Sequence, residues 1–467
     1  MQTAGDQDWL TSRLKRHLGE LIRLAMPVIG SRAGILVLMT VDLAYLGRAG
    51  ADQTAFYSLG SSPFVILMVI GIGLMMGTMV TVSHAFGEGQ YKECGAIWRR
   101  SLPWALLCGL GLTLLLLPVE DFFLVTGQNP GLAKGAAGVT FMMSLSLAPT
   151  LIYVTSAFFL ESLRRPLPVL FAIGFANVMN LVLNPLFVFG IGPIPEMGAE
   201  GAALATSIAR TSMALFLVLY CWFLKDHQTF GIRKPLGFGW WRQFANQRRY
   251  GYATGLSHGF ESLGFGVMHI YAGWLGVNSS ATFGMGMNLT ALVFMVALGL
   301  ANATSVRVGI AHGRRDLPDR ELAGWVGVGV TFAFMTVFTA VLVMEPEWVA
   351  LTYTNEPTLV AMLTACVVIV GYVVICDGTQ IVLSHAIRAA ADPWTPTVLN
   401  FAAYFVVQIP LGYALAIHMG RGVVGLFEAM LIGSVVSCAI LGIRWMMLNR
   451  KEIRLSRAAI VNPPAAE

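Results

Sequence analysis

Between Leu21 and Leu448 the chain is an almost unbroken succession of apolar runs, each about 18 residues or longer and nearly free of charge, which is the pattern of membrane-crossing helices. A water-soluble fold cannot hide that much apolar surface. Of 467 residues, 56% are hydrophobic and 12% are charged, where a soluble protein carries roughly 25% charged residues. The runs fall at 22–46, 55–85, 97–117, 135–160, 167–190, 199–224, 251–277, 281–311, 322–344, 359–386, 394–418 and 422–447. They predict an all-α membrane protein of about twelve transmembrane helices. Pro and Gly recur inside the runs, which membrane helices tolerate when neighbours satisfy the freed backbone groups.

Orientation follows from Lys and Arg, which are enriched in cytoplasmic loops. Alternate segments, including 13–23, 92–100, 164–165, 225–249, 314–320 and the C-terminal end, hold 24 of the 30 basic residues, the opposite set holds only Arg48, Lys134 and Arg421, and Arg32, Arg210 and Arg307 fall within spans. Both termini are therefore expected in the cytoplasm of a bacterial cell, with the chain in the inner membrane. The clusters are short and separated by apolar runs, which fits a topology signal and no nucleic-acid partner. The first 20 residues lack the short apolar core and cleavage site of a removable signal peptide, so they are expected to stay as a cytoplasmic segment. The six cysteines show no paired spacing, so neither a disulfide framework nor a zinc site is expected.

The stretch Lys225 to Tyr250 is the longest polar segment and lies near the middle of the chain. It divides the sequence into a half at 21–224, a linker at 225–250, a half at 251–447 and a tail at 448–467. The halves repeat: residues 55–90 align without a gap on 281–316 at an offset of 226, with nine of 36 positions identical. A second echo pairs Gly198-Ala199-Glu200-Gly201 with Gly422-Val423-Val424-Gly425. Repeated halves are common in transporters, whose substrate sites lie near mid-membrane.

Charged side chains within the bilayer are costly, about 2.5–3.5 kcal/mol on the most lenient scale, and are functional candidates by default. Three acids lie well inside predicted spans: Asp42 in the first, Glu261 in the seventh and Asp377 in the tenth. An ion pair with Arg32 or Arg307 is the plain structural alternative. Asp42 and Arg32 are ten residues apart on one helix, about 15 Å, which is too far to pair. Helical spacing places Asp377, Gln380 and Ser384 on one face, His258, Glu261, Phe265 and His269 on another, and Asn177, Asn180 and Asn184 on a third. Pro185 follows that third face and can free a backbone carbonyl for a ligand. Asparagine stripes also serve simply to join helices. Hard cations take carboxylate, amide, hydroxyl and carbonyl oxygens; Asp42, Asn180, Asn184 and Thr206 supply that set if their spans meet, and a proton could take the same carboxylate instead. Gln380, Asn177, His258, Phe265 and Met268 are the further candidates for a substrate cavity. His84 and His312 read as markers of the membrane boundary, while His258, His269 and His385 could be proton-linked or simply satisfied by neighbours.

With these residues in place, the chain resembles the multidrug and toxic compound extrusion (MATE) family, and within it the NorM-like branch. The resemblance rests on Val306-Arg307-Val308-Gly309 followed by Gly313 and Asp316, on Val41-Asp42 followed by Gly47, on Gly198 to Thr206, and on Ala386-Ile387-Arg388 leading to Asp392-Pro393. It implies two six-helix lobes in a V, a central cavity, and export of organic cations or other amphiphilic compounds driven by inward Na+ or H+, with no cofactor beyond that ion and a single chain as the working unit. It also implies a cation site at Asp42, Asn180, Asn184 and Thr206 in the first lobe and an acidic pair, Glu261 and Asp377, in the second. The chain departs from the family at His84, where glutamine is usual, and at Asn184, where some relatives carry a second aspartate. A flippase of lipid-linked precursors on the same fold is the nearest alternative, and it would be expected to line its cavity with basic residues. A membrane-embedded enzyme would need a nucleophile or metal constellation that the sequence does not offer.

Overall fold

Among the described residues twelve long helices carry the fold, and each predicted span falls largely on one of them. The structure, a computed structural model, describes residues 4–237 and 239–461. In chain order the helices are α1 (Ala4–Ala49), α2 (Ala51–Gly87), α3 (Tyr91–Leu115), α4 (Pro130–Ser162, interrupted near Leu145), α5 (Leu167–Val188), α6 (Gly198–Trp222), α7 (Ala245–Trp274), α8 (Val277–Gly313), α9 (Leu317–Met344), α10 (Pro357–Ala389), α11 (Trp394–His418) and α12 (Gly422–Val461). Ten are long and apolar enough to cross a membrane, or eleven when α3 is joined to the short helix Val119–Val125, bent 42° from it. The exception is α7, whose 30 residues include Gln247, Arg248, Arg249, His258, Glu261 and His269. The exterior is apolar: Leu114, Phe171, Val178 and Val337 are each more than half exposed, a surface suited to lipid. No strand occurs among the described residues.

The ends of the first helix differ from expectation. The polar N-terminal segment does not stand apart, because α1 is continuous from Ala4 through the first span. Likewise α12 continues past the predicted end of the last span to Val461. The linker holds two short helices, His227–Phe230 and Trp240–Gln243, and its last residues already belong to α7.

The repeat is visible in the helix ends themselves. Helices α2 and α8 each have 37 residues and start and stop at positions 226 apart. Both are entered through a glycine at positive φ, Gly50 at 131° and Gly276 at 104°, a backbone region open to glycine and strained for other residues.

Chain contacts group into two compact units. One comprises residues 30–259, the other residues 1–29 with 260–467. In the first unit, α2 packs against α3 and both pieces of α4, while α6 packs on α4 and α5. In the second, α8 and α10 form the centre, with α9 and α12 against them and α11 on α12.

Sequence motifs that carried the family resemblance act as fasteners. In the second unit Asp319 is buried and bonded to Arg13 at 3.1 Å, Arg16 at 2.6 Å, His17 at 2.9 Å and Arg314 at 2.9 Å, while Asp316 caps α9 and pairs with Arg13 at 3.0 Å. Arg307 pairs with Glu20 at 2.7 Å. Asp392 caps the turn after α10 through Thr395 and takes two bonds from Arg444, at 3.0 and 2.7 Å. In the first unit the Gly198 to Thr206 run lets α6 start against Gln53, whose side-chain oxygen accepts the Ala199 amide at 2.7 Å, and Gly201 sits on the Phe187 backbone where a Cβ would clash.

Candidate functional sites

Asp42 is fully buried in the first unit and accepts four hydrogen bonds. Its Oδ1 accepts from the amides of Asn180 at 2.9 Å and Asn184 at 2.8 Å, and its Oδ2 from the Tyr57 hydroxyl at 2.6 Å and the Thr206 hydroxyl. Asn180 also donates to Thr206 Oγ1 at 2.9 Å. The α5 repeat of one turn places both asparagines on a single face, and α1, α2 and α6 bring the other three groups to it. Because a carboxylate only accepts, both amide NH2 groups must face Asp42. Their oxygens are then left over: Asn180 Oδ1 and Asn184 Oδ1 are buried and accept no hydrogen bond among the described residues. Buried acceptors without partners are costly, about 1–3 kcal/mol each, and a carboxylate flanked by two such oxygens is chemically suited to a small hard cation.

Asn177 stands outside this cluster. Its amide donates to the carbonyls of Gly34 at 3.0 Å and Ile173 at 2.9 Å, joining α5 to α1. The carbonyl expected to be freed by Pro185 is that of Leu181, and it accepts the Tyr45 hydroxyl at 3.4 Å. Arg32 pairs with Glu161 at 3.4 Å, both buried; with Arg307 on Glu20, neither arginine partners a candidate acid. His258 lies in the first unit, its ring against Gly73.

In the second unit Asp377 is buried on α10 and interacts electrostatically with Glu261 on α7. Tyr404 on α11 joins them: its hydroxyl bonds with Glu261, lies near Asp377, and accepts from Gln380 Nε2 at 3.3 Å. It stands in a π-helical stretch, Ala402–Gln408, just ahead of Pro410; such wide turns often mark functional sites. Asp377 lines a narrow cleft with Thr290, Phe294, Met335 and Val374. Phe265 packs edge-on to Tyr404 at 5.9 Å. Met268 is fully buried against Gly412, as core rather than cavity wall. Arg388, just past the predicted end of the tenth span, is buried and interacts electrostatically with Glu261. His385 is satisfied by the Ile381 carbonyl at 2.9 Å.

Sequence reasoning missed Tyr57, Tyr404, Glu161 and the burial of Arg388. Tyr57 did leave a signal, since the repeat aligns it with Phe283, so that a hydroxyl is the main difference between the two positions. Among the described residues no group of three or more His, Cys, Asp and Glu is placed to hold a metal ion.

An all-helical polytopic membrane protein with an internal repeat and acids buried among amides and hydroxyls has the build of a transporter. The sequence profile of the MatE family matches residues 27–186 and 254–414, once in each half. The chain is 35% identical over 442 residues to the probable multidrug resistance protein NorM of Caulobacter vibrioides, covering 94% of this chain and 93% of that one. It is 29% identical to the protein of the same name in Bradyrhizobium diazoefficiens, covering 92% and 94%. Among solved structures, the eukaryotic MATE transporter AtDTX14 superposes with a TM-score of 0.87 over 94% of this chain and 98% of that one, at 19% identity. A MOP superfamily transporter from Pyrococcus furiosus gives 0.83 over 93% and 96%, also at 19% identity. The chain belongs to the MatE family, the multidrug and toxic compound extrusion transporters, on its NorM-like side.

Proposed function

We propose that the protein is a secondary antiporter that exports organic cations and related amphiphilic drugs across the bacterial inner membrane, using the inward flow of Na+ or H+. Asp42, Asn180, Asn184 and Thr206 bind the coupling ion, and Glu261 with Asp377 forms the acidic part of the cargo site. The observation that carries this reading is the Asp42 cluster, a carboxylate held by four donors beside two buried amide oxygens with no partner. The relatives' names, multidrug resistance proteins, support small organic compounds as cargo. Both termini and the 225–250 linker face the cytoplasm, a single chain is the working unit, and transport proceeds by alternating access. Antiport requires that ion and cargo stabilise different states, each shifting the equilibrium only by its differential affinity. Uptake of ethidium or norfloxacin into inverted vesicles, driven first by a Na+ gradient and then by a pH gradient, tests the proposal; transport that responds to neither gradient overturns it.

A further inference from the structure

Four charged side chains are buried among the described residues of the first unit: Asp42, Glu161, Arg32 and Arg210. Arg32 and Glu161 pair with each other. Arg210 has no carboxylate on its guanidinium: Nη1 and Nη2 are buried and make no hydrogen bond among the described residues, and the group lies over the Phe64 ring at 4.8 Å from its centroid. It stands four residues after Thr206 on α6, and Phe64 stands seven after Tyr57 on α2. The helical repeat therefore sets Thr206 and Arg210 on one face of α6, and Tyr57 and Phe64 on one face of α2. The two faces meet in two layers, Tyr57 and Thr206 on Asp42 in one, Arg210 on Phe64 in the next. Arg210 interacts electrostatically with both Asp42 and Tyr57, which makes Asp42 its counter-charge across one layer.

We propose that Arg210 is the specificity-determining residue of the Asp42 site, a fixed positive charge that admits one small monovalent cation or proton and excludes divalent and organic cations. The inference rests on the reading of Asp42 as the coupling-ion site. With Arg210 present the empty site has zero net charge and the loaded site carries one positive charge; a divalent ion would leave two in a buried, low-dielectric place where like charges repel strongly. The second unit differs, because there Asp377 has a second acid, Glu261, as its charged neighbour, and the buried Arg388 interacts electrostatically with Glu261. Arg210 also limits how tightly the ion is held, so that it can be released after crossing.

The test uses the full-length protein in proteoliposomes, with export measured against external Na+ at fixed gradient and with Ca2+ added as the divalent probe. Should the wild type respond to protons alone, half-saturation is read from external pH instead. R210M keeps the volume over Phe64 and removes the charge; it should lower the half-saturating ion concentration by about tenfold, as expected for one buried charge at short range, slow maximal turnover, and make export sensitive to Ca2+. R210Q provides the same reading if R210M does not fold, and R210K should restore wild-type half-saturation and Ca2+ resistance. A merely structural role would lower the amount of protein or the turnover while leaving half-saturation and Ca2+ sensitivity unchanged, and that result in both neutral variants overturns the proposal. Asp42→Asn in parallel separates the two readings. If it keeps a full ion response, the assignment of Asp42 fails and this inference falls with it; if it loses the response while R210M matches wild type, only the role of Arg210 is overturned.

Discussion

Replacing Tyr57 by phenylalanine removes one oxygen from the proposed coupling site at Asp42 and leaves the packing almost unchanged, since the repeat already carries phenylalanine at the equivalent position, Phe283. The lost bond, 2.6 Å to Asp42 Oδ2, runs from a hydroxyl to a carboxylate, and bonds to charged groups contribute about 1.5–3 kcal/mol. That energy stabilises the empty, ionised Asp42, because an arriving cation competes with the hydroxyl for the same oxygen. Without the hydroxyl the empty state is weaker relative to the loaded one. At about 1.4 kcal/mol per factor of ten, the half-saturating ion concentration should fall by about tenfold or more. Loading becomes easier and release harder, so maximal export should fall as well. The assay is drug export in proteoliposomes as a function of external ion concentration, with protein amount checked by immunoblot. Unchanged half-saturation at normal protein level would refute the reasoning, since it would mean that Tyr57 does not distinguish the empty from the loaded site.

Three further outcomes follow from named contacts. Asp377→Asn and Glu261→Gln should each remove most drug export while the protein still reaches the membrane, and full resistance of cells carrying either variant would exclude the pair from the cargo site. Asp319→Asn leaves Arg13, Arg16 and Arg314 around a neutral group; Arg16 and Arg314 are nearly half exposed, so the loss costs about 1–3 kcal/mol, thermal stability in detergent should drop by a few degrees, and an unchanged melting temperature would contradict the fastening role. A cysteine placed in 230–245 should be labelled by a membrane-impermeant maleimide only after the membrane is opened, and labelling from the periplasm would overturn the proposed topology.

Much of this was legible because membrane burial simplifies the code. Apolar length alone located a helix at each predicted span, and the 226-residue offset anticipated the shared ends of α2 and α8. A charge inside such a run stands out, which is why Asp42, Glu261 and Asp377 could be picked, and helical spacing placed Asn180 and Asn184 on one face. What sequence could not show was which faces meet. Asn177 lies on the same stripe yet joins α5 to the backbone of α1, because one helical turn along the stripe leads from the Asp42 layer to the Gly34 contact. Tyrosines carry no charge to flag them in an apolar run, so Tyr57 and Tyr404 came to light only when α2 and α11 were packed. Glu161 and Arg388 fall just past the predicted ends of the fourth and tenth spans, and only the packing shows them buried. Met268, a candidate for the cavity in the sequence, is buried against Gly412, a placement that only the packing of α7 on α11 reveals.

In the proposed function the coupling ion sits on Asp42 and the cargo at Glu261 and Asp377. The most direct test of this division is gradient-driven drug export and equilibrium drug binding measured side by side in Asp42→Asn and Asp377→Asn. Asp42→Asn should bind drug but no longer export it in response to an ion gradient, whereas Asp377→Asn should lose drug binding. Normal gradient-driven export by Asp42→Asn would contradict the division.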